Sequence, residues 1–502
     1  MLLSTAICSR ARKTRDPRFD GRFFIGVLTT RIYCRPICPV RESKEENVRY
    51  YPSAAAAAEA GFRPCLRCRP ECSPGTPAWL GTSATVSRAL RLIGESMPED
   101  EGMDGLAEKL GIGSRHLRRL FLKHLGASPI AVAQTRRLHF AKKLIDETQL
   151  AMRDIALAAG FGSVRRFNAT FRDTYKRTPT QLRRLARHTT AQAADEYHFQ
   201  LRFRPPFAWG ALLDFHGPRA TPGVESIQDG HYFRTISLDG QTGWIDASLN
   251  SEANAVSLKI HFLEPRWLFL IVERVRKMFD LTADPQEIAR HLGRDPLLCD
   301  RVTARPGLRV PGSWDGFELA VRAILGQQVT VKGATTLTGR LARAFGAGVE
   351  LPNGLTHLFP TPEKLAHSDL QRIGIPRSRA NCLRALAQSV VDKKLTFSGV
   401  ANTDEFLEQF CEVPGIGSWT AQYVAMRALG EPDAFPASDL GLLHAARMRN
   451  PRELETRSQA WSPWRAYAAM YLWQHPENIS DWKENHPQQS GSIKTFERLR
   501  TA

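Results

Sequence analysis

Four cysteines in the first part of the chain are the residues whose type and spacing point most directly to chemistry. Three residues separate Cys34 from Cys38, two separate Cys65 from Cys68, and 26 residues lie between the two pairs. Two close cysteine pairs from separate turns can supply the four thiolates that bind zinc in a tetrahedral arrangement. In a chain without a secretion signal, such pairs indicate metal binding before disulfides. The spacing predicts one Zn²⁺ per chain, and by itself it favours a structural site over a reactive one.

A second group of residues that could take part in chemistry lies in the rear half of the chain. Residues 413–421 read Val-Pro-Gly-Ile-Gly-Ser-Trp-Thr-Ala, which is typical of a helix-hairpin-helix turn. Glycines let backbone amides approach a DNA phosphate closely, so Pro414, Gly415 and Gly417 are predicted DNA contacts. Asp439 follows 22 residues beyond Gly417. The hairpin alone indicates non-specific DNA binding, and Asp439 has two interpretations, a catalytic carboxylate or the cap of a helix.

Two helix-turn-helix patterns lie between these groups. Residues 106–121 have helical apolar spacing interrupted at Gly111, and the same unit recurs in residues 155–171 around Gly160. In this motif the second helix enters the major groove of DNA. The alternative is a helical packing domain with solvated arginines, but two copies with matching spacing favour DNA binding. The basic residues of the second helices predicted to reach base edges or phosphates are Arg115, Arg118, Arg119, Arg165 and Arg166.

The distribution of charge supports a nucleic-acid partner. The chain has a formal net charge of +18, from 69 Lys and Arg against 51 Asp and Glu. Residues 1–190 hold 34 basic and 17 acidic residues, whereas the remainder holds 35 and 34. Clustered Lys and Arg neutralise phosphates and release counterions, so the front of the chain is predicted to bind double-stranded DNA electrostatically. DNA affinity in the neutral rear must come from a defined site.

Several folded units are needed to position these motifs. At roughly 100–200 residues per domain, 502 residues suggest about three domains. Small and polar residues at 73–83 and 188–196 predict linkers, alternation in residues 197–255 predicts strands, and helical periodicity returns from Leu268. We expect a multidomain, mainly α protein. Its predicted parts are a small α/β zinc module (1–72), an all-α double helix-turn-helix module (84–186), and an α+β unit made of a mixed subdomain (195–275) and a helix-hairpin-helix domain (276–485).

The overall composition is typical of a globular protein rather than a membrane or secreted one. Hydrophobic residues make up 42% of the chain and charged residues 24%, which fits a globular protein with real cores. No apolar run approaches the roughly 18 residues of a membrane span. The opening Met1-Leu2-Leu3 is too short for the apolar region of a signal peptide. We therefore expect a cytoplasmic protein with no membrane partner.

The zinc module resembles the methyl-accepting domain of the Ada family. Residues 20–27, 29–39, 54–58 and 60–65 together carry this resemblance, which covers nearly the whole module. It implies that the first cysteine of the set, Cys34, irreversibly accepts a methyl group from a DNA methylphosphotriester. Zinc holds cysteine as thiolate, the nucleophilic form, which suits such a role.

Methylation of one sulfur would also change the charge of the module. Four thiolates on one zinc leave about two net negative charges, which repel DNA phosphates. A methylated sulfur is a neutral thioether, so one negative charge is lost and DNA affinity should rise. Arg35, Arg67 and Arg69 are candidate phosphate contacts or solvated charges, and Cys72 lies outside the paired spacing.

The helix-turn-helix module resembles the AraC-type DNA-binding domain, which follows the zinc module in Ada proteins. Phe161 after Ala159-Gly160, and Thr178-Pro179 near the end of the module, match that family. The resemblance implies sequence-specific promoter binding and transcription activation, with RNA polymerase as the expected partner. Two units in one chain could address successive turns of the groove without dimerisation.

The rear of the chain resembles AlkA, a 3-methyladenine glycosylase of the helix-hairpin-helix superfamily. Residues 316–329, 359–362 and 463–468 match that family, and the resemblance covers about residues 197–475. It implies that Asp439 is the catalytic carboxylate, which stabilises a sugar cation and orients or activates water. A flipped cationic base would stack on aromatic side chains. The base-pocket candidates by position are Trp419, Tyr423 and Trp473.

Two positions depart from family patterns in informative ways. Bifunctional relatives carry a Schiff-base lysine where this chain has Trp419, so the resemblance implies a monofunctional enzyme that does not cleave the strand. Gln328 stands where the family places an apolar wedge that fills the gap left by the flipped base. Because Gln328 is polar, it is predicted as a DNA contact, and Val329 is the alternative wedge.

These inferences combine into one function with two alternatives. The sequence has no Pro-Cys-His-Arg segment, so we expect the alkylguanine transferase domain of full-length Ada proteins to be missing and a glycosylase to take its place. We expect a regulator of the response to DNA alkylation that also removes alkylated purines. The alternatives are a transcription activator whose rear domain only binds DNA, and a pure repair enzyme that uses its front half for docking.

Overall fold

The computed structural model describes residues 3–74, 84–95, 102–185, 195–400 and 402–474. Residues 75–83 and 188–194, which make up most of the two predicted linkers, lie outside the described residues, as do residues 475–485 of the predicted glycosylase domain. Within these ranges the chain is mainly helical with two separate sheets. This confirms the predicted multidomain, mainly α class.

The first module is a four-stranded sheet with two helices. The strand order is β3-β1-β2-β4, in which β1 pairs antiparallel with β2 and β3, and β2 pairs parallel with β4. Phe24 and Tyr33 from the sheet and Phe62 beside β4 are buried in its core. The elements are α1 (Thr5–Lys13), β1 (Phe24–Val27), β2 (Ile32–Cys34), β3 (Val48–Tyr51), α2 (Ala54–Glu59) and β4 (Arg63–Pro64).

The second module contains the two predicted helix-turn-helix units. Gly111 between α4 and α5, and Gly160 between α7 and α8, have φ values of +63° and +72°, a left-handed conformation that glycine adopts without strain. The long helix α6 joins the two units. The helices are α3 (Ala84–Glu95), α4 (Gly102–Lys109), α5 (Ser114–Leu125), α6 (Pro129–Glu147), α7 (Met152–Ala158), α8 (Val164–Tyr175) and α9 (Pro179–Leu185).

The third part begins with a five-stranded antiparallel sheet in the order β5-β9-β8-β7-β6. Alternate residues of β5, namely Tyr197, Phe199 and Leu201, are buried, which is the pattern of a strand with one face on a core. The elements are β5 (Glu196–Arg202), α10 (Trp209–His216), β6 (Glu225–Gln228), β7 (His231–Leu238), β8 (Gln241–Asn250) and β9 (Ala255–His261).

The remainder is a helical domain built around one large apolar core. The helix that begins at Ser418 continues from Ala425 to Leu429 as a π-helix. The helices are α11 (Leu268–Met278), α12 (Pro285–Leu292), α13 (Cys299–Ala304), α14 (Gly316–Leu325), α15 (Val331–Phe345), α16 (Pro362–Ala366), α17 (Arg377–Val391), α18 (Thr403–Cys411), α19 (Ser418–Val424), α20 (Leu440–Ala445), α21 (Pro451–Ser458) and α22 (Arg465–Gln474).

One apolar core runs from the second helix-turn-helix unit into the five-stranded sheet and α11. Phe140 of α6 packs edge-to-face on Phe269 of α11, with ring centroids 5.0 Å apart. The Lys143 ammonium donates a hydrogen bond to the Gln200 carbonyl of β5 at 2.9 Å. The helix-turn-helix module and the five-stranded sheet with α11 are therefore packed on one core, although the sequence predicted a linker between them.

We predict that Phe269→Ala loosens both sides of this shared core. Phe269 is buried, so truncation should cost about 3–5 kcal/mol in the free energy of unfolding. Hydrogen exchange measured peptide by peptide should increase in α6 as well as in α11. Leu263→Ala is the matched control, because Leu263 is 62% exposed and its truncation should cost less than about 0.5 kcal/mol. Faster exchange in α11 alone would contradict a shared core.

Candidate zinc centre and glycosylase pocket

Parallel pairing of β2 with β4 brings the two cysteine pairs together. Cys34 ends β2, and the Cys65 amide donates to the Tyr33 carbonyl at 3.0 Å. The four Sγ atoms of Cys34, Cys38, Cys65 and Cys68 all lie within 4.8 Å of one another. Four sulfurs converging from two turns are the donor set of a closed zinc site. Cys65 and Cys68 are buried, whereas Cys34 and Cys38 are partly exposed.

Backbone amides distinguish the four sulfurs. The Arg35 amide donates to Cys68 Sγ at 3.4 Å, the Val40 amide to Cys38, and the Cys68 amide to Cys65. An N–H donor stabilises the thiolate form of the cysteine that accepts it.

The arginines near the zinc centre are mostly engaged within the protein. Arg35 is 2% exposed, and its Nε donates to Asp20 at 2.8 Å while its Nη1 donates to the Cys68 carbonyl at 3.0 Å. The prediction of Arg35 as a phosphate contact is therefore wrong, because this guanidinium is buried and hydrogen-bonded to groups of the zinc module. Arg69 pairs with Asp146 and Glu147 of α6, each at 3.0 Å. Arg67 is exposed and stays a candidate phosphate contact.

The basic residues predicted on the recognition helices lie at the surface. Ser163 caps α8 by accepting from the Arg166 amide, whereas Gly113 precedes α5 with no side-chain cap. On each helix a buried apolar face, including Leu117 and Phe167, packs inward and leaves the basic face outward. The exposed residues are Arg115, Arg118, Arg119, Arg165 and Arg166, and their DNA contacts stay a prediction.

The hairpin between α18 and α19 presents the glycines as the sequence predicted. Gly415 has a φ of +92°, and a Cβ at this position would lie 3.0 Å from Cys382 Sγ. A larger residue is therefore both strained and crowded there. The Gln327 side-chain amide donates to the Gly415 carbonyl at 3.1 Å, which ties the hairpin to the end of α14. Pro414, Gly415 and Gly417 are all exposed.

Asp439 accepts three N–H hydrogen bonds. Its Oδ1 accepts from the Leu442 amide at 2.9 Å, which caps α20. The same oxygen accepts from Trp473 Nε1 at 2.9 Å, and Oδ2 accepts from Trp419 Nε1 at 2.9 Å. The two interpretations of Asp439 from the sequence are therefore compatible, because the cap also holds the carboxylate between two indoles.

The three aromatic residues predicted for the base pocket come together around this carboxylate. Trp419 and Tyr423 stack with centroids 5.2 Å apart and ring planes 10° from parallel. Trp473 meets Tyr423 edge-to-face at 6.3 Å. Trp419 and Tyr423 are neighbours because residues four apart lie on the same helix face, whereas Trp473 arrives from α22. Their role in base binding stays a prediction.

Three arginines behind Tyr423 were missed by sequence reasoning. Arg427 Nη1 donates to the Tyr423 hydroxyl at 2.5 Å, and Arg219 also interacts with that hydroxyl. Arg322 is the third positive charge near it. Arg427 follows Tyr423 by four residues, so the helical spacing could have revealed it. Positions 219 and 322 carry no comparable sequence pattern.

The backbone at Gln328 distinguishes it from Val329. Gln328 follows α14, is exposed and has a φ of +57°, in the left-handed region that is uncommon for a residue with a side chain. Val329 is half-buried. The contact of Gln328 with DNA stays a prediction.

Four families match successive parts of the chain. They are described as "Metal binding domain of Ada" (residues 7–71), "Helix-turn-helix domain" (106–185), "AlkA N-terminal domain" (198–315) and "HhH-GPD superfamily base excision DNA repair protein" (321–465). The chain thus combines an Ada-type zinc module and a helix-turn-helix module with a DNA glycosylase of base excision repair, and double-stranded DNA is its partner.

Similarity to curated proteins extends over nearly the whole chain. The "Probable bifunctional transcriptional activator/DNA repair enzyme AlkA" of Mycobacterium tuberculosis is 43% identical over 482 residues, which cover 94% of this chain and 97% of that protein. "DNA-3-methyladenine glycosylase 2" of Escherichia coli is 32% identical, covering 55% of this chain and 96% of that protein. The chain belongs to the family of bifunctional transcriptional activator/DNA repair enzymes AlkA.

Solved structures match parts of the chain. The 3-methyladenine DNA glycosylase of Archaeoglobus fulgidus is 23% identical, and the match covers 55% of this chain and 97% of that chain with a TM-score of 0.48.

This chain binds one Zn²⁺ through Cys34, Cys38, Cys65 and Cys68, as the sequence predicted. None of the helices in the described ranges combines the length and apolarity needed to cross a membrane.

We predict that Cys65→Ala abolishes zinc binding, because three thiolates cannot close the tetrahedral shell. Metal analysis of the purified protein should fall from one zinc per chain to a small fraction of that value. Cys72→Ala is the matched control: Cys72 is buried nearby but is not one of the four clustered sulfurs, so its variant should keep one zinc. Unchanged zinc in Cys65→Ala, or lost zinc in Cys72→Ala, would contradict the ligand assignment.

Proposed function

We propose that this protein senses DNA methylation at Cys34, activates transcription in response, and removes alkylated purines of the 3-methyladenine type at Asp439. The observation that carries the enzymatic part is the Asp439 carboxylate, held between the indoles of Trp419 and Trp473. The likeness to proteins named bifunctional transcriptional activator/DNA repair enzyme AlkA supports the combination. RNA polymerase is the proposed partner of the activated state.

The sensing step is a methyl transfer from a DNA methylphosphotriester to Cys34. The Cys34 sulfur lone pair attacks the methyl carbon, the carbon–oxygen bond breaks, and its electron pair stays on oxygen to restore an anionic phosphodiester. The metal supplies the thiolate form of the cysteines. Partial exposure of Cys34 favours it over the buried Cys65 and Cys68.

Loss of one negative charge is the proposed switch. The product sulfur is a neutral thioether, so the module repels DNA phosphates less. The module also contacts the helix-turn-helix part directly, since the Tyr33 hydroxyl lies 2.9 Å from His139 Nε2 on α6. Ser53 Oγ donates to the Leu125 carbonyl at the end of recognition helix α5 at 2.7 Å. These contacts support a shared DNA-binding surface.

The proposed excision step is hydrolysis of the bond between sugar and alkylated base. Methylation of a ring nitrogen makes the base cationic, so the bond's electron pair leaves with the base, which departs neutral. Positive charge develops on the sugar, and Asp439 stabilises it and orients the water that adds to the sugar carbon. The released proton passes to solvent.

The same pocket supports a monofunctional enzyme. Trp419 stands where a Schiff-base lysine would have to be, so no amine is available there to form a covalent link with the sugar. We propose that Gln328, exposed on a left-handed backbone, fills the gap left by the flipped base. The proposed DNA contacts of the hairpin are the exposed Pro414, Gly415 and Gly417.

Two other functions are separated from this one by experiment. A rear domain that only binds DNA would release no base, and Asp439 variants would behave like the unaltered protein. A pure repair enzyme would release bases but give no promoter footprint after methylation. The placement of the Asp439 carboxylate between two indoles favours the enzyme over a domain that only binds DNA.

We predict that Cys34 gains one methyl group from a synthetic duplex containing a single methylphosphotriester. Peptide mapping by mass spectrometry should find the added methyl on the peptide containing Cys34. The same duplex without the triester is the control. Affinity for promoter DNA should rise after the reaction and the gain should shrink at high salt. A methyl on Cys38 or Cys72 would overturn the assignment.

We predict that Asp439→Asn lowers release of methylated purines by on the order of 100–1,000-fold or more, because a neutral amide cannot offset charge on the sugar. DNA binding should survive, since ground-state contacts run through the hairpin near Gly415 and Gly417. Single-turnover base release and a binding titration measure the two effects. Full activity in this variant would refute the catalytic assignment.

Trp419→Phe is the matched control for Asp439→Asn. It removes one indole N–H from the carboxylate but leaves the charge, so it should cost much less activity than Asp439→Asn.

The product of the unaltered protein should be an intact abasic strand. Borohydride trapping of a protein–DNA covalent complex would contradict a monofunctional enzyme.

A further inference from the structure

Helix α3 of the helix-turn-helix module contacts the glycosylase at the end of the helix that follows the hairpin. The Arg91 Nη1 atom donates a hydrogen bond to the Leu429 carbonyl at 2.6 Å, and its Nη2 atom lies 3.5 Å from Glu431 Oε2. Leu429 is the last residue of the π-helical turn, and Gly430 follows it with a left-handed φ of +67°. Carbonyls at a helix end lack partners within the helix, so Arg91 supplies a partner from another module.

Glu431 connects this helix end to the helix on the other side of the hairpin. Its Oε2 atom, the same oxygen that faces Arg91, accepts a hydrogen bond from the Thr403 hydroxyl at 3.0 Å. Thr403 is the first residue of α18, whereas the Glu431 amide donates to the Ala425 carbonyl of the π-helical turn at 3.1 Å. Thr403 and Glu431 are 4% and 7% exposed. One buried carboxylate therefore joins the two helices of the hairpin at the ends remote from its glycines.

The ion pair between Arg91 and Glu431 lies largely out of solvent. The two side chains are 15% and 10% exposed, so dissolved salt screens their attraction only weakly. Removing one partner of a shielded pair leaves a charge without compensation, which costs more than the loss of a surface pair. Without Arg91, the Glu431 carboxylate would turn towards solvent and away from Thr403. The join between α18 and the π-helical turn therefore depends on an arginine from another module.

A second arginine holds α3 in place for this contact. Arg136 of α6 donates to the Leu90 carbonyl of α3 at 3.0 Å and pairs with Glu273 of α11 at 2.5 Å. Leu90 belongs to the same apolar core as Leu117 and Phe121 of the first recognition helix, α5. Helix α3 therefore lies between a recognition helix and the glycosylase, and it contacts both.

The contact of α3 with the glycosylase spans a cleft. A cavity of about 480 Å³ lies between α3, α6, α11 and the π-helical turn, and Arg91, Arg136 and Glu431 are among its lining residues. Side chains that face a gap lose the dispersion contacts of close packing. Directional polar contacts therefore connect α3 to the glycosylase across this gap, and a change at Arg91 should be felt on the far side.

We propose that Arg91 is a positioning residue of the glycosylase, supplied by the helix-turn-helix module, which holds the two helices of the hairpin at the separation that DNA binding requires. This inference rests on the proposed glycosylase function. Loosening the far ends of α18 and α19 lowers the fraction of protein whose hairpin is competent to bind DNA, and the apparent affinity falls by that fraction. Base release after binding changes less, because Asp439 lies at the start of α20 and is also held by Trp473 of α22.

The first test measures hydrogen exchange of the full-length protein without DNA and needs no enzymatic activity. In Arg91→Ala, peptides from the start of α18 and from residues 425–431 should exchange about 10-fold faster, because a charged hydrogen bond is lost. Arg91→Lys should restore most of the protection, since an ammonium can still pair with Glu431. Unchanged exchange of α18 in Arg91→Ala would overturn the proposal.

Arg88→Ala is the matched control for the exchange experiment. Arg88 lies one turn earlier on α3 and carries the same charge, but its Nε atom has no hydrogen-bond partner among the described residues. Its variant should leave exchange in α18 and in residues 425–431 unchanged. Equal acceleration in Arg88→Ala and Arg91→Ala would mean that general loosening of α3 is the cause, which contradicts a specific role for Arg91.

The second test separates KM from kcat for release of 7-methylguanine from a duplex. Arg91→Ala should raise KM by about 10-fold and change kcat by less than about 2-fold, and Arg91→Lys should recover most of the loss. Thr403→Val removes the hydroxyl that meets the same carboxylate oxygen. The double variant should therefore lose less than the product of the two single effects, because both act through Glu431.

Two kinetic results would refute the positioning role of Arg91. One is a fall in kcat with unchanged KM, and the other is a double variant in which the two single effects multiply in full. If the unaltered protein releases no base, the proposed function fails, while the exchange experiment still decides whether Arg91 holds the two helices together.

Discussion

The requirement that buried charges be paired constrains how the parts of this protein fit together, and helix α6 is where it acts most strongly. Lys142 and Lys143 are 3% and 2% exposed. Lys142 pairs with Asp146 of its own helix at 2.5 Å and with Glu71 of the zinc module at 3.6 Å. Lys143 pairs with Glu147 at 2.8 Å and donates to a carbonyl of the glycosylase sheet. A buried charge without a partner costs several kcal/mol. The modules therefore cannot shift independently without exposing a lysine ammonium or separating it from its ion-pair partner.

The zinc module is held on its other side by the same kind of interaction. Arg22 is largely buried and pairs with Asp284 at the start of α12 at 3.0 Å. Arg35 is buried against Asp20 beside the cysteine cluster. The zinc module and the rear half, packed through buried ion pairs, form one body, in which the proposed change of charge at the sulfurs would act on rigid surroundings. This arrangement fits a switch that works by charge better than one that works by a large hinge motion.

Arginine has different uses in the two halves of the chain. In the helix-turn-helix units it lies on exposed helix faces, where it adds to an excess of positive charge that attracts DNA phosphates. In the glycosylase part, Arg204 and Arg309 are fully buried and Arg427 is 4% exposed, each donating to backbone carbonyls. The neutral charge balance of the rear half therefore includes positive charges that are buried and hydrogen-bonded within the fold.

The sequence alone determined the features that depend on short spacing. Two cysteine pairs, two glycine turns and one glycine hairpin each need only a few neighbouring residues, and the structure brings the sulfurs together and forms the turns as predicted. Trp419 and Tyr423 were also within reach because one helix places residues four apart on one face.

Only the tertiary structure decided what surrounds those features. It placed Trp473, which the sequence offered only as a pocket candidate, in a hydrogen bond to the Asp439 carboxylate. It also buried Arg35, which the sequence offered as a phosphate contact or a solvated charge. It also gathered arginines from positions 219, 322 and 427 around one phenol. Periodicity and motif spacing report which residues share an element, whereas burial and pairing of charge depend on which distant elements pack against it, and no local pattern contains that information.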